Sequence, residues 1–312
     1  MTFKDINALG KKRKPFLFIS DFLAQNIEVI PLDELHSYDI EFRVDENYLH
    51  KKHGHSFKKE AVGFESYKKK FDEIIERIKS GDTYLLNLTA PSKVYTTLTL
   101  KEIYNYANAH YKLRYKDKYV CFSPEKFIRI KDAKIHTFPM KGTIDASIAD
   151  AKNKIIHDEK EMAEHTMVVD LLRNDLSIVA SNVKVEEFRY VQKIDSGEKE
   201  LLQVSSHISG IVGEDWHDRI GDILNSLLPA GSISGTPKKS TLEIIKKVEA
   251  YDRGFFSGVF GIYDGESFDS GVMIRFVEKT IDGYLYKSGG GITLDSDSIL
   301  EYNELQDKVY LP

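Results

Sequence analysis

The 312-residue chain holds one cysteine, Cys121, which excludes an intramolecular disulfide and any metal centre built on a thiolate cluster. Hydrophobic runs are short. Nowhere do about 18 apolar residues follow one another, so no transmembrane helix is expected. The first twenty residues, MTFKDINALGKKRKPFLFIS, lack a continuous apolar stretch ending in small residues, so no signal peptide is expected either. Neither sign of charge is in strong excess. Lys and Arg number 44, Asp and Glu 49, and the formal net charge is -5, which removes the electrostatic case for a nucleic-acid or membrane partner. There is no internal repeat and no low-complexity tract. What remains is the composition of an ordinary cytoplasmic globular protein, 41% hydrophobic and 30% charged. It is long enough for one large domain or two small ones.

The runs FLFISDF and NIEVIPL, separated by a polar turn, predict short strands within residues 15–45. The polar, basic stretch 46–62 carries His50, His53 and His55. Three histidines can ligate a metal, but no carboxylate or cysteine pattern accompanies them, and the stretch reads as a solvated linker. Phe71, Ile74, Ile75 and Ile78 recur at helical spacing over 67–79, with Gly81 as the stop, and TYLLNLTA follows as a buried strand. Further helices are expected at 100–110, 158–173, 217–228, 238–249 and 297–309. Between them lie the strand-like runs KFIRI, KIHTF, VKVEEF, HISGIVG, FFSGVFGIYD and SGVMIRFVEK. Strands interrupted by isolated helices, without regular alternation, predict an α+β fold with large antiparallel sheets rather than a doubly wound one.

Four segments carry residue types suited to chemistry. In HDEKEMAEHTMVVDLLRNDL (157–176), Glu161 and Glu164 continue the apolar stripe of Val168, Leu171 and Leu172. Carboxylates three apart share a helix face. A buried pair needs a cation or a partner, whereas an exposed pair would only favour the helix dipole. In SILEYNELQDKV (298–309), Glu301, Glu304 and Lys308 line one face and Tyr302, Leu305 and Val309 the neighbouring one. Alone, this is also the pattern of a solvated amphipathic helix. If the two helices meet, four carboxylates suit a hard cation such as Mg²⁺.

PAGSISGTPKKS (229–240) and SGGGITLDS (288–296) are glycine-rich but fit neither G-x-x-x-x-G-K-[ST] nor G-x-G-x-x-G. They are either tight turns or backbone cradles for an anion, with Ser234 and Lys238 at a helix start in position to help. Finally, TFPMKGT (137–143) holds Lys141 near a turn. Such a lysine is inert when exposed, and nucleophilic when desolvated beside cations or in an apolar pocket.

Together with GDTYLLNLT, SPEKF, RGFFSGVFGIYD, VMIRF and EYNELQDK, these segments resemble, in order, the chorismate-utilising enzymes: anthranilate, aminodeoxychorismate, isochorismate and salicylate synthases. The resemblance runs from about Ser66 to the C-terminus. It implies a single domain of two large antiparallel sheets flanked by helices, residues 66–312 forming the chorismate-binding region and 1–65 a short strand-rich segment. It implies one Mg²⁺, with Glu164 and Glu304 as direct ligands and Glu161 and Glu301 holding its waters. Arg275, Lys308, Ser234 and the backbone at Gly289, Gly290 and Gly291 would hold substrate.

The resemblance is nearest to aminodeoxychorismate synthase component I, because the chain reads P-M-K-G-T where anthranilate synthases usually read P-I-A-G-T. It implies that Lys141 attacks ring carbon 2, that Glu125 protonates the departing 4-hydroxyl, and that ammonia then attacks carbon 4. Implied partners are a glutaminase subunit supplying ammonia and a lyase that aromatises the product for 4-aminobenzoate and folate synthesis. No Cys-His-Glu glutaminase segment is present, since Cys121 sits in YVCFSPE without a nucleophile turn. Anthranilate synthase component I, or a chorismate-binding subunit without catalysis, are the alternatives. Three positions depart from many relatives: Leu85 replaces Gln or Lys, Gln203 aligns with His, and Phe256 replaces Tyr. Leu85 cannot activate water, which weakens the isochorismate and salicylate readings. The serine-bearing tryptophan-site motif is not evident, so tryptophan added to an activity assay is expected not to inhibit.

Overall fold

The computed structural model describes residues 1–44, 56–195 and 200–311. His50, His53 and His55 lie outside them. The first elements are α1 (Phe3–Lys11), β1 (Phe16–Ser20), β2 (Ile27–Pro31), β3 (Ile40–Val44), β4 (Phe57–Glu60), α2 (Phe64–Lys79), β5 (Leu85–Thr96) and α3 (Leu100–Tyr106). Then come β6 (Tyr111–Tyr115), β7 (Tyr119–Ser123), β8 (Lys126–Lys131), β9 (Lys134–Thr137), β10 (Met140–Asp145), α4 (Ala151–His157), α5 (Glu159–Val179), β11 (Ser181–Asp195) and β12 (Glu200–Ile211). The last are α6 (Ile220–Leu227), β13 (Gly235–Thr236), α7 (Lys238–Glu249), β14 (Val259–Tyr263), β15 (Phe268–Val272), β16 (Phe276–Thr280), β17 (Gly283–Ile292) and α8 (Ser298–Asp307).

The strands form two antiparallel sheets, as the strand-rich pattern predicts. The nine-stranded sheet runs β10-β12-β9-β8-β15-β14-β1-β2, with β11 also on β12. The eight-stranded sheet runs β13-β5-β17-β16-β7-β6-β3, with β4 on β5. Leu17 and Phe260 of the first sheet pack on Leu113, Cys121 and Phe276 of the second. A larger core gathers α2, α5, α6 and α7 against the sheets. The helical stripe read from sequence is its contribution from α2, with Tyr67, Phe71, Ile74 and Ile78 buried. No helix among the described residues is long and apolar enough to cross a membrane.

Several boundaries differ from the sequence reading. Helix α1, closed by a Thr2–Asp5 capping box, precedes the strands of the N-terminal segment. Residues 57–60 of the expected linker pair with Lys93–Thr96 as an edge strand. Helix α4 was not expected, and α5 runs on to Val179. The run SGVMIRFVEK is not one strand. β15 ends at Val272 in one sheet and β16 starts at Phe276 in the other, so Met273–Arg275 crosses between sheets. Arg275 takes a left-handed φ of 52° at the crossing.

Candidate active site

A pocket opens between the two sheets, walled by the crossing at Arg275, the β10 segment around Lys141, the turn at Ser232–Gly235, and the inner faces of α5 and α8. Glu125, Lys141, Glu164, Ser234, Arg275, Gly289–Gly291, Glu304 and Lys308 all line it. These come from segments far apart in the chain, and the sheet order brings them together.

Asp158 caps α5 by accepting from the backbone N–H of Glu161 at 2.9 Å. This fixes the helix phase that turns Glu164 inward, where it is only 6% exposed. Lys141 meets it, with Nζ 2.7 Å from Glu164 Oε2. Lys141 sits on a β-bulge. Met140 pairs with Ser205 and Thr143 with Gln203, so three steps on β10 oppose two on β12. Gly142 takes φ 93° there, and a Cβ on it would stand 3.1 Å from Glu161 Oε2. That Oε2 is buried without a hydrogen-bond partner.

Across the pocket, Asp297 caps α8. Glu301 is buried and accepts from Ser296 Oγ at 2.9 Å. Glu304 pairs with Lys308 at 2.6 Å, and Lys308 Nζ also donates to the Gly289 carbonyl at 2.9 Å. Strand β16 ends opposite Lys287, so the edge of β17 at Ser288–Gly291 carries no strand on that side and faces the pocket. A Cβ on Gly290 would come 3.4 Å from Glu301 Oε2.

The electrostatics follow from burying many charges together. Burial, with Glu164, Asp158 and Glu304 nearby, pushes the Glu161 carboxyl up against the pull of Lys141. Burial likewise raises Glu301. At Glu304 burial is outweighed by Lys308 and Lys141, which hold its pKa below the usual range. Burial pulls the Lys141 ammonium down, but Glu164, with Glu304 and Glu161 behind it, more than compensates and its pKa is raised. Lys141 thus matches neither alternative read from its segment: it is half-buried among carboxylates, which raise its pKa, rather than exposed or set beside cations. Burial lowers Lys308. Glu125 is pushed up by burial against Ser232, Arg275 and Lys308. Among the described residues no three His, Cys, Asp or Glu side chains already form a group able to hold a metal ion. The acidic faces of α5 and α8 look into the same pocket through Glu164 and Glu304, and Lys141 and Lys308 balance them.

Other expectations are corrected or extended. Ser234 lines the pocket, yet its hydroxyl donates to Ala230 O at 2.9 Å. The serine that reaches a pocket carboxyl is Ser232, whose Oγ donates to Glu125 Oε1 at 2.5 Å. Lys238 turns away to Asp175 and the Leu227 carbonyl. Arg275 lies over the Tyr310 ring, 5.8 Å from its centroid, with Nε buried and unpartnered. A guanidinium N–H without a partner beside a pocket is suited to an incoming carboxylate. Sequence reading also missed His165, whose ring lies between the Lys141 carbonyl (Nδ1, 3.3 Å) and Ser206 Oγ (Nε2, 2.7 Å). No local spacing relates residues 141, 165 and 206. Leu85, Gln203 and Phe256 line the pocket as well.

The cleft between the two antiparallel sheets thus sets acidic helix faces beside a lysine, an arginine and a half-buried carboxyl. The chain belongs to the chorismate binding enzyme family, whose model matches residues 20–311. Among its relatives, an uncharacterized PabA-like protein of Haemophilus influenzae is 43% identical over 98% of this chain and 94% of its own length. Aminodeoxychorismate synthase component 1 of Bacillus subtilis is 31% identical over 77% of this chain, which corresponds to 54% of that protein. In fold, the chain resembles a Bacillus anthracis protein described as a 2,3-dihydroxybenzoate-specific isochorismate synthase. The TM-score is 0.74 at 18% identity, covering 98% of this chain and 87% of that one.

Proposed function

We propose that the chain aminates chorismate with ammonia to give 4-amino-4-deoxychorismate. The observation that carries this reading is Lys141, an amine inside the pocket rather than the small residue of anthranilate synthases, in a cavity that also holds the half-buried carboxyl of Glu125. In the proposed sequence the Lys141 ammonium first loses a proton to solvent at the mildly alkaline working pH. Its neutral Nζ then bonds to ring carbon 2, the two ring double bonds shift, and the bond from carbon 4 to its hydroxyl breaks. Glu125, whose carboxyl burial pushes upward in pKa, in its protonated form donates its proton so that water leaves. Ammonia then bonds to carbon 4, the double bonds return, and the bond to Lys141 breaks. The surplus proton on the new amine returns to Glu125. The net change is chorismate plus ammonia to aminodeoxychorismate plus water, and the enolpyruvyl ether stays in place. The lysine divides one hard displacement into two easier ones.

Arg275 and Lys308, with the backbone edge at Gly289–Gly291, would hold the substrate carboxylates. An all-oxygen donor set suits Mg²⁺, and the unpartnered, buried Glu161 Oε2 is an atom that needs a cation. Glu164 and Glu304 would bind the ion and Glu161 and Glu301 its waters. Bound there, Mg²⁺ would hold the ring carboxylate and offset the negative charge that keeps Lys141 an ammonium. A glutaminase subunit would supply ammonia, and a separate lyase would take the product toward 4-aminobenzoate.

The test is a product assay on purified protein given chorismate, Mg²⁺ and ammonium at mildly alkaline pH, with and without aminodeoxychorismate lyase. Aminodeoxychorismate that becomes 4-aminobenzoate only with lyase is expected, with Lys141→Ala losing about 100-fold or more in kcat. Anthranilate and pyruvate formed without lyase would overturn the proposal.

A further inference from the structure

Resting on the reading of Lys141 as the reacting amine, we propose that His165 is a positioning residue that holds the Lys141 bulge from behind. The bulge leaves Lys141 and Gly142 without register partners in β12, so the half-buried Lys141 carbonyl has to find its donor outside that register. His165, fully buried on α5, supplies it through Nδ1 at 3.3 Å.

The hydrogen-bond chain behind the ring selects its tautomer. The backbone N–H of Arg189 donates to Ser206 Oγ at 2.9 Å, and Ser206 Oγ is 2.7 Å from His165 Nε2. A carbonyl can only accept, so Nδ1 carries the proton and Nε2 accepts from the Ser206 hydroxyl. Glu164 and His165, adjacent on one helix, thus grip Lys141 at both ends, Glu164 at the ammonium and His165 at the carbonyl. One rigid element sets both the lysine's reach and its direction.

The experiment compares His165→Asn, His165→Gln, His165→Ala and Ser206→Ala with wild type. An asparagine amide N–H can take the place of Nδ1–H, whereas glutamine reaches the Nε2 position. His165→Asn is expected to keep kcat within about three-fold. His165→Gln and His165→Ala should fall roughly 30- to 100-fold in kcat with the chorismate KM changed less than about two-fold, the signature of a misplaced reacting group. Ser206→Ala should lie between. Thermal midpoints identify variants that have lost the fold.

A second readout does not depend on turnover. The rate at which an amine-selective reagent labels Lys141, followed by peptide mass, is expected to rise several-fold in His165→Gln and stay near wild type in His165→Asn. Equal labelling in both, or asparagine no better than glutamine in kcat, would overturn the proposal. If Lys141→Ala kept the wild-type rate, the function proposed above would fail, and the labelling series would still decide whether His165 holds the bulge.

Discussion

Glu125, the proposed acid, also bears on stability. It is half-buried and accepts from Ser232, and desolvation raises its pKa above that of an exposed glutamate. The folded chain then keeps the proton to higher pH than the unfolded chain does. The sign follows from linkage: this group's contribution to stability is complete below the unfolded pKa and declines as pH rises through the folded one. Glu125→Gln replaces it with a neutral group of the same shape. At pH 7 the variant's thermal midpoint is expected to rise by about 2 °C, and the gain should shrink as pH falls through the folded and then the unfolded pKa, vanishing about a unit or more below the ordinary glutamate value. Its kcat should fall about 100-fold through loss of the acid. Calorimetry across that pH range with the product assay checks both parts.

Among the elements, α7 is tied to the pocket wall by a buried ion pair. Glu249 and Arg253 are each 2% exposed. The guanidinium bonds both carboxylate oxygens, at 2.8 and 2.7 Å, and also the carbonyls of Ile233 and Asn87. It thereby holds the turn that carries Ser232 and Ser234 against β5. Removing one partner of such a pair strands the other charge, so Arg253→Ala is expected to lose about 3–5 kcal/mol in denaturant unfolding. Whatever folds should show a raised chorismate KM, because the turn loses its anchor.

The legibility of elements followed how local their causes are. The acidic faces of α5 and α8 could be read from three- and four-residue spacing. Helix α1 offered a weak stripe, with Ile6 and Gly10 its only buried residues. Its burial comes from segments some 200 residues away, where Gly10 lies against the His217 carbonyl and Gly221 against the Phe3 carbonyl. The FKKE of β4 is polar because it is a half-exposed edge strand, a pattern it shares with a linker.

For the whole molecule, the packing of α5 and α8 around one pocket leaves carboxylates that repel one another. A divalent cation that binds only the folded chain should stabilise it, by about 2.7 kcal/mol at one hundred times its Kd. Titrating Mg²⁺ is expected to raise the thermal midpoint of wild type and to raise that of the double variant Glu161→Gln, Glu301→Gln less at the same concentration, because the proposed direct ligands remain but the groups holding the ion's waters are gone. No shift in wild type would mean that these carboxylates serve only Lys141 and Lys308.

Residue order alone determined that the chain is strand-rich with isolated helices, that its acidic pairs share helix faces, and that a lysine stands in TFPMKGT. Each of these is a matter of neighbours within one element. Only the tertiary structure decided that Lys141 faces Glu164, that Ser232 rather than Ser234 reaches Glu125, that Lys238 turns away, and that Arg275 marks the crossing between sheets. Periodicity says which side chains share a face of their own element. Which face meets which depends on strand order, bulges and crossings, and those are settled by packing between segments far apart in the chain.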